Sequence, residues 1–192
     1  MKLIGITPNK IAFERLKDSV RLLKEKGVSR LYVRNPFIFS DKELKDITEF
    51  LLLSAITPII SYKFFSLLKN YPVIFHFKES EKESISDFKK KNPDSKISVS
   101  CHSADEARRF LETLADYVFL SPVFKPYSKK NYKFKPLDLK KIEPLVELYG
   151  ERVFLLGGMD AKRVSLLKEK LGDNIAVAGI TMFFGELYEG LS

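Results

Sequence analysis

The sequence predicts an α/β fold in which strands and helices alternate about eight times within one domain, residues 1–192. Three observations support this prediction. Short apolar segments alternate with longer amphipathic ones, and several of the short segments are apolar at nearly every position, as in parallel strands covered on both faces. A chain of 192 residues that is 45% hydrophobic can fill one core. This pattern fits either a closed barrel or an open doubly wound sheet, and both bind ligands at the carboxyl ends of their strands.

Eight apolar segments are predicted as strands because they are too short to form ordinary helices. In chain order they are residues 3–7, 31–34, 58–61, 73–77, 97–101, 117–121, 153–156 and 175–178. Parallel neighbours need long crossover connections, so we expect helices between them.

The segments between the strands have the apolar spacing of amphipathic helices. The first stripe stops just before Gly27, a residue suited to the end of a helix. The clearest stripes are formed by Ala12, Leu16, Val20 and Leu23, by Leu44, Ile47 and Leu51, by Ala107, Phe110, Leu111 and Leu114, and by Val164, Leu167 and Leu171.

Several helix starts are marked by capping residues. The Ser-x-x-Glu pattern of the capping box occurs at Ser40–Glu43, Ser80–Glu83 and Ser103–Glu106. Asp160 is predicted to cap a later helix. Because proline disrupts a helix interior, we expect another helix to begin close to Pro144.

Composition narrows the classes of function. Cys101 is the only cysteine, so neither an internal disulfide nor a cysteine zinc site is expected. Apolar runs fall far short of the roughly 20 residues that span a bilayer, and the start has no leader pattern, so we expect a cytoplasmic protein without a membrane partner. The net charge of +8 could indicate nucleic-acid binding. Most lysines lie beside acidic residues, however, which favours a solvated surface and no nucleic-acid partner.

Two glycine-containing loops are candidates for phosphate binding. Gly157 and Gly158 follow the strand 153–156 and precede the helix that Asp160 caps. Gly179 and Ile180 follow the last strand. Glycine allows close approach of the backbone, and a helix amino terminus favours an anion. In barrels the loops after strands seven and eight commonly share one phosphate.

A third candidate is the loop 121–131, which contains several hydroxyl groups, that of Ser128 among them, and three lysines, one of which is Lys129. Loops after strands often carry function, and lysine is a compact cation suited to phosphate. A merely solvated loop would have the same composition.

Six motifs together resemble the ordered motifs of the thiamine phosphate synthase/TenI family. They are Val99-Ser100-Cys101-His102-Ser103, Ala115-Asp116-Tyr117-Val118-Phe119, Ser121-Pro122-Val123-Phe124, Ser128-Lys129, Gly157-Gly158 and Ile175-Ala176-Val177-Ala178. The resemblance runs from about residue 98 to the carboxyl terminus. It implies a single (β/α)₈ TIM barrel. Synthases of this family join a hydroxymethylpyrimidine pyrophosphate to a thiazole phosphate and release pyrophosphate with the help of Mg²⁺, and its tautomerases isomerise a thiazole carboxylate phosphate.

The resemblance also implies roles for individual residues. Backbone N–H groups at Gly158, Gly179 and Ile180 would bind the thiazole phosphate, with Gly157 beside them. Arg34 matches an arginine that binds pyrophosphate. Pocket positions are matched by Ser100, Ser128 and Lys129. Arg34, Ser128 and Lys129 are therefore the expected catalytic residues.

This sequence departs from the family pattern around the metal and the pyrophosphate. Tyr32 replaces a glutamine, Pro36 replaces a lysine, and Ser61-Tyr62 replaces Asn-Asp. Mg²⁺ prefers carboxylate and phosphate oxygens. Of the expected ligands only Glu79 and Glu81 remain as weak candidates, and either could simply begin a helix.

Three other side chains are candidates at the same end of the barrel. Lys63 or Lys78 could supply positive charge to pyrophosphate in place of metal. His76 ends a strand and could face the substrate pocket or form a structural hydrogen bond.

The sequence thus predicts a thiamine phosphate synthase-like transferase that acts on small phosphorylated substrates. Two alternatives stay open: a thiazole tautomerase paralogue, although the tautomerase histidine aligns with Pro122, and a barrel that binds a thiamine-related phosphate without turnover. Formation of a homo-oligomer is also left open.

Overall fold

Eight parallel strands close into a barrel in the computed structural model, which describes residues 1–125 and 135–188. Each strand pairs with the next along the chain, and the first pairs with the last. The strands are β1 Lys2–Ile6, β2 Val28–Tyr32, β3 Thr57–Ser61, β4 Ile74–Phe77, β5 Ile97–Cys101, β6 Tyr117–Leu120, β7 Val153–Leu156 and β8 Ala176–Gly179. The (β/α)₈ TIM barrel is confirmed, and the open doubly wound sheet is excluded.

A helix follows each strand and packs on the outside of the barrel. The helices within the described residues are α1 Phe13–Glu25, α2 Asp41–Leu53, α3 Phe65–Leu68, α4 Ser84–Lys91, α5 Ala104–Thr113, α6 Leu139–Tyr149, α7 Ala161–Leu171 and α8 Thr181–Tyr188. None of them has the length and apolar character required to cross a membrane.

The strands are buried on both faces, which explains their nearly continuous apolar sequences. Side chains alternate in direction along a strand, so one set points towards the helices and the other fills the barrel. The interior set includes Ile4, Ile6, Tyr32, Ile59, Ile74, Phe119, Phe154, Ala176 and Ala178. A few buried polar side chains also lie in the strands: Ser61 and His76 are near the carboxyl ends of β3 and β4, and Ser98 is near the amino end of β5.

Two predicted helix starts are confirmed, and a third is half correct. Ser40 and Glu43 form a reciprocal capping box at α2, and the Asp160 carboxylate accepts from the Arg163 N–H at α7. At α5 the Ser103 hydroxyl accepts from the Glu106 N–H, but the Glu106 carboxylate accepts from the preceding His102 N–H instead.

The Ser80–Glu83 box is wrong. The chain forms a short 3₁₀ turn over Glu79–Glu81, in which the Glu81 carboxylate accepts from the Lys78 N–H, and α4 begins only at Ser84.

The expected helix start near Pro144 is also wrong, because Pro144 lies inside α6. Pro144 and Lys140 are both exposed. The Lys140 carbonyl that the proline leaves without an N–H donor can therefore bond to water, which makes the proline tolerable.

Candidate functional site

The two glycine loops lie side by side at the carboxyl end of the barrel. Gly157 and Gly158 directly follow β7, Gly179 ends β8, and these strands pair in parallel. A Cβ built on Gly179 would lie 3.9 Å from the Cβ of Met159, the residue after Gly158. The structure therefore brings together the loops that the sequence predicted as one phosphate site.

The backbone requires glycine at positions 157 and 158. Both have positive φ, 112° and 60°. A Cβ on Gly157 would lie 2.9 Å from the Pro122 Cα, and one on Gly158 would lie 2.6 Å from the Lys125 carbonyl oxygen. The loop after β7 is thus packed tightly against the segment after β6, and it leads into α7.

Arg163 is a residue of this site that the sequence analysis missed. Its guanidinium Nη1 donates to the carbonyl oxygens of Gly158, at 2.5 Å, and Lys125, at 3.2 Å. The guanidinium carbon also lies 5.1 Å from the centre of the Phe124 ring. A basic residue in the first turn after a Gly-Gly pair was the available signal, and it brings positive charge to the glycine loop.

Arg34 lies directly after β2, and its backbone is held by a second residue that the sequence analysis missed. The Arg34 N–H donates to the Thr7 hydroxyl at 3.0 Å, and the Thr7 N–H donates to the Tyr32 carbonyl at 3.0 Å. Thr7 is almost fully buried. These two hydrogen bonds fix Arg34 where β1 and β2 end.

Tyr32 occupies the barrel interior, at a position where the family has glutamine. Burial raises the pKa of the Tyr32 hydroxyl well above its usual range, the Arg34 charge lowers it, and the Glu81 charge raises it. The hydroxyl therefore stays protonated at neutral pH. Since both charges act on it, Arg34 and Glu81 belong to the same end of the barrel.

His76 is a neutral hydrogen-bonding residue inside the barrel. It is 2% exposed, with its Nδ1 3.0 Å from the Ser98 hydroxyl and its Nε2 3.1 Å from the Ser100 hydroxyl. Burial, and to a smaller extent the Lys78 charge, lowers the pKa of His76 to about 3. An imidazole with such a pKa is a poor general base at neutral pH. Its geometry instead orients Ser100, which lies near the end of β5.

Lys63 and Glu81 form an ion pair between the segments that follow β3 and β4. The Lys63 Nζ lies 3.0 Å from a Glu81 carboxylate oxygen, and the other oxygen accepts from the Lys78 N–H at 2.9 Å. The hydrogen bond with Glu81, more than its charge, raises the pKa of Lys63. Glu81 is thus already occupied as a turn residue and as the partner of a cation.

Glu79, the other candidate metal ligand, is also in contact with cationic or titratable groups. One of its carboxylate oxygens lies 3.2 Å from the His102 Nε2, and the other lies 4.0 Å from the Lys82 Nζ. The His102 Nδ1 lies 2.8 Å from the Ser121 carbonyl oxygen. These contacts tie the β4, β5 and β6 loops together.

The side chains around Glu79 and Glu81 do not fit a magnesium site. In the part of the chain that the structure describes, no three His, Cys, Asp or Glu side chains are grouped as metal ligands. Mg²⁺ is usually held by one or two carboxylates together with substrate phosphates. To use Glu81, it would have to displace Lys63.

Ser128 and Lys129 lie outside the described residues. Cys101 is buried, and burial raises the pKa of its thiol to about 12, which fits a core residue and not a nucleophile.

Comparisons with known proteins bear on the family and the fold of this chain. Residues 76–180 match the profile of the thiamine monophosphate synthase family. A curated relative, the putative thiamine-phosphate synthase 2 of Aquifex aeolicus (strain VF5), is 25% identical over 190 residues, which cover 95% of this chain and 97% of the relative.

Solved structures share the fold. The thiamine phosphate pyrophosphorylase from Pyrococcus furiosus superposes with a TM-score of 0.67 at 18% identity, covering 99% of this chain and 96% of that one. The 3-hexulose-6-phosphate synthase from Salmonella typhimurium superposes with a TM-score of 0.65 at 14% identity, covering 95% and 90%. At such identities the likeness concerns the barrel alone. The family profile, in contrast, spans more than half of the sequence, and this chain belongs to the thiamine monophosphate synthase family.

Proposed function

We propose that this chain is a thiamine phosphate synthase-like transferase, which joins hydroxymethylpyrimidine pyrophosphate to a thiazole phosphate and releases pyrophosphate. The main support for this proposal is the geometry of the Gly157–Gly158 loop. It combines two positive-φ glycines, the start of α7 and direct contact with the β8 loop in a member of this family.

The thiazole phosphate would bind where the β7 and β8 loops meet. Backbone N–H groups in the first turn of a helix have no partner within the helix and point towards an incoming anion. Gly158 and Ile180 each lie just before such a helix. The Arg163 guanidinium, beside the Gly158 carbonyl, adds a fixed positive charge.

Pyrophosphate would bind on the β2 to β4 side of the same end. Arg34 can hold two of its oxygens at once, and Lys63 can add a second cation. As the bond between the pyrimidine methylene carbon and the pyrophosphate oxygen breaks, the electron pair stays on pyrophosphate. The thiazole nitrogen then bonds to the methylene carbon. The protein's part is to hold both substrates in line and to stabilise the developing charge.

We further propose that protein cations supply most of the charge that Mg²⁺ supplies in related synthases. The ion pair between Lys63 and Glu81 supports this proposal, because the Glu81 carboxylate, a candidate metal ligand, is already paired with the Lys63 ammonium group. The chain's own residues, and no metal ligand set, then determine how the leaving group is stabilised.

A coupled assay tests the proposal. Purified protein is given both substrates, with Mg²⁺ or with a chelator, and thiamine phosphate is measured. We expect product in both conditions and a loss of at least about 100-fold in Arg34→Met, the range found when a charge-stabilising group is removed. Lys129→Met should also lower the rate. Lys24→Met, an exposed change in the last turn of α1, is the matched control and should leave the rate unchanged.

A non-catalytic phosphate-binding barrel is the second candidate. It is favoured by the same engagement of Glu79 and Glu81, which leaves the glycine loops intact but no metal ligand set among the described residues. Saturable binding of thiazole phosphate without product under either condition would establish it and reject the synthase. The tautomerase alternative has less support, since Pro122 replaces its histidine and burial keeps the pKa of His76 low.

A further inference from the structure

Arg30 lies inside the amino-terminal end of the barrel, opposite to the proposed active site. It is in β2 and pairs with Ile4 of β1 and Thr57 of β3. Its guanidinium carbon lies 5.0 Å from the centre of the Tyr117 ring and 5.6 Å from that of Phe154. This side chain therefore points into the barrel on the same face as the interior aromatic residues.

One nitrogen of this guanidinium lacks an acceptor. Nη1 of Arg30 is buried, and within residues 1–125 and 135–188 no group accepts a hydrogen bond from it. Buried charged groups in proteins are nearly always paired, because removing a charge from water is unfavourable without compensation. The ring faces of Tyr117 and Phe154 compensate in part, but they accept no conventional hydrogen bond. The Arg30 side chain as a whole is only partly buried, and it also lines the cavity described next.

A cavity next to Arg30 is large enough for a small ligand. Its volume is about 440 Å³, and it is bounded by the segments that lead into β4, β5 and β6. Small-molecule sites commonly have volumes of roughly 300–1,000 Å³. The cavity opens at the end of the barrel away from Gly158, so it is separate from the phosphate loops.

The charge of the cavity wall favours an anion. Arg30, Lys69 and Lys96 line it, against one carboxylate, that of Asp94. The Lys96 Nζ is paired with Asp116 at 2.8 Å. Lys69 is exposed and forms no salt bridge within the described part of the chain. The positive charge of Arg30 and Lys69 therefore exceeds the negative charge of Asp94, the one acidic side chain of the wall.

We propose that this cavity is a second binding site, for a small molecule that carries a phosphate group. The phosphate accepts hydrogen bonds from the Arg30 guanidinium, and Lys69 attracts it at the rim. Phosphate matches the fork of an arginine well because two of its oxygens can be bound at once. The site is independent of the proposed transferase activity, and a failure of either leaves the other standing.

Pyrophosphate titration followed by amide NMR tests the site directly. In the wild type, we expect saturable shifts of the Tyr71, Ser95 and Lys96 amides. Arg34→Met, which alters only the opposite end, should retain these shifts. Arg30→Met should weaken binding at this end by at least about tenfold, as expected when a charge-assisted contact is lost. Unchanged shifts in Arg30→Met, or shifts confined to Gly158 and Gly179, would overturn the proposal.

Three further measurements keep the result interpretable. Arg30→Met should fold about as stably as the wild type without ligand, because it removes a guanidinium nitrogen that is buried without an acceptor. If it fails to fold, the exposed Lys69→Glu gives the answer and should weaken binding about threefold or more by charge reversal. Titration with succinate separates phosphate from carboxylate ligands, and equal binding of succinate would contradict a phosphate site.

Discussion

Gly158 lies two residues after β7 and Gly179 ends the neighbouring β8, but of these two only Gly158 has to be glycine. Its φ of 60° and the close Lys125 carbonyl exclude a side chain. Gly179 does not have a positive φ in the left-handed range, and a Cβ there would meet Met182 at an ordinary 3.5 Å. The two residues look alike in the sequence and differ in what the backbone requires.

This difference predicts the effect of adding one methyl group. Gly158→Ala should lower the free energy of unfolding by about 1–2 kcal/mol, the usual penalty for a left-handed non-glycine residue. It should also weaken thiazole phosphate binding, because the loop must move away from Lys125. Gly179→Ala is the matched control for stability and should leave the free energy of unfolding nearly unchanged. Urea unfolding measures stability and calorimetric titration measures affinity, and a wild-type affinity in Gly158→Ala would disprove the role of the β7 loop.

His76 makes stability depend on pH in a defined direction. Its pKa is about 3 in the folded protein and near 6.5 when unfolded, so between these values only the unfolded chain takes up the proton. The contribution of neutral His76 to the free energy of unfolding is therefore fully present above about pH 6.5, and it falls as the pH decreases towards 3.

The variant His76→Gln removes this titration. Between pH 7 and pH 5 the wild type should lose about 2 kcal/mol more unfolding free energy than the variant, at about 1.4 kcal/mol per pH unit below the unfolded pKa. Denaturant unfolding at both pH values measures the difference. Parallel losses in both proteins would mean that other groups control acid stability.

At the scale of elements, strands were easier to predict than helix starts. Strands such as Ile97–Cys101 and Val153–Leu156 were predicted to the residue, because burial on both faces makes them apolar without interruption. The Ser80–Glu83 start failed because a Ser-x-x-Glu pattern does not reveal a competing turn. The Glu81 carboxylate accepts a hydrogen bond from the Lys78 N–H, which stabilises that turn, and α4 begins only at Ser84.

Two serines with the same local sequence pattern therefore have different effects on stability. Ser40→Ala should destabilise the protein by about 1 kcal/mol, since it removes a formed capping box at α2. Ser80→Ala removes no cap and should change stability by less than about 0.5 kcal/mol. Thermal or urea unfolding of the two variants compares them, and equal losses would show that the Ser40 cap contributes nothing.

For the whole molecule, closure of the barrel depends on both ends of the chain, because β1 pairs with β8. Each strand of the closed barrel is hydrogen-bonded to two neighbours, so the loss of any one strand breaks two strand pairings. We therefore expect one cooperative unfolding transition for the entire chain, as for a single domain. Circular dichroism and tyrosine fluorescence should give the same midpoint, the latter being usable because the sequence has eight tyrosines and no tryptophan. Separate midpoints would instead indicate two independently folding halves.

The sequence could predict the barrel and the glycine loops, but not all the residues that surround them. Gly157 and Gly158 stand out because few residues can adopt positive φ. Thr7 acts through a contact with the segment after β2, which is distant in sequence and leaves no local pattern. The local signal for Arg163, a basic residue in the first turn after Gly158, does not reveal its contact with the β6 loop. Arg30 had no sequence signal of its own, and the alternation of β2 places it on the same face as Tyr32, inside the barrel.

The ion pair between Lys63 and Glu81 also affects which anions can enter the open end of the barrel. Because Glu81 already neutralises Lys63, the empty protein does not present this cation as an open site for any passing anion. An incoming group has to compete with an internal carboxylate for the same ammonium. Chloride and other singly charged ions compete poorly, whereas a pyrophosphate with several negative charges competes well. We therefore expect the pair to favour highly charged ligands over singly charged ones, and added salt to weaken this preference by screening it.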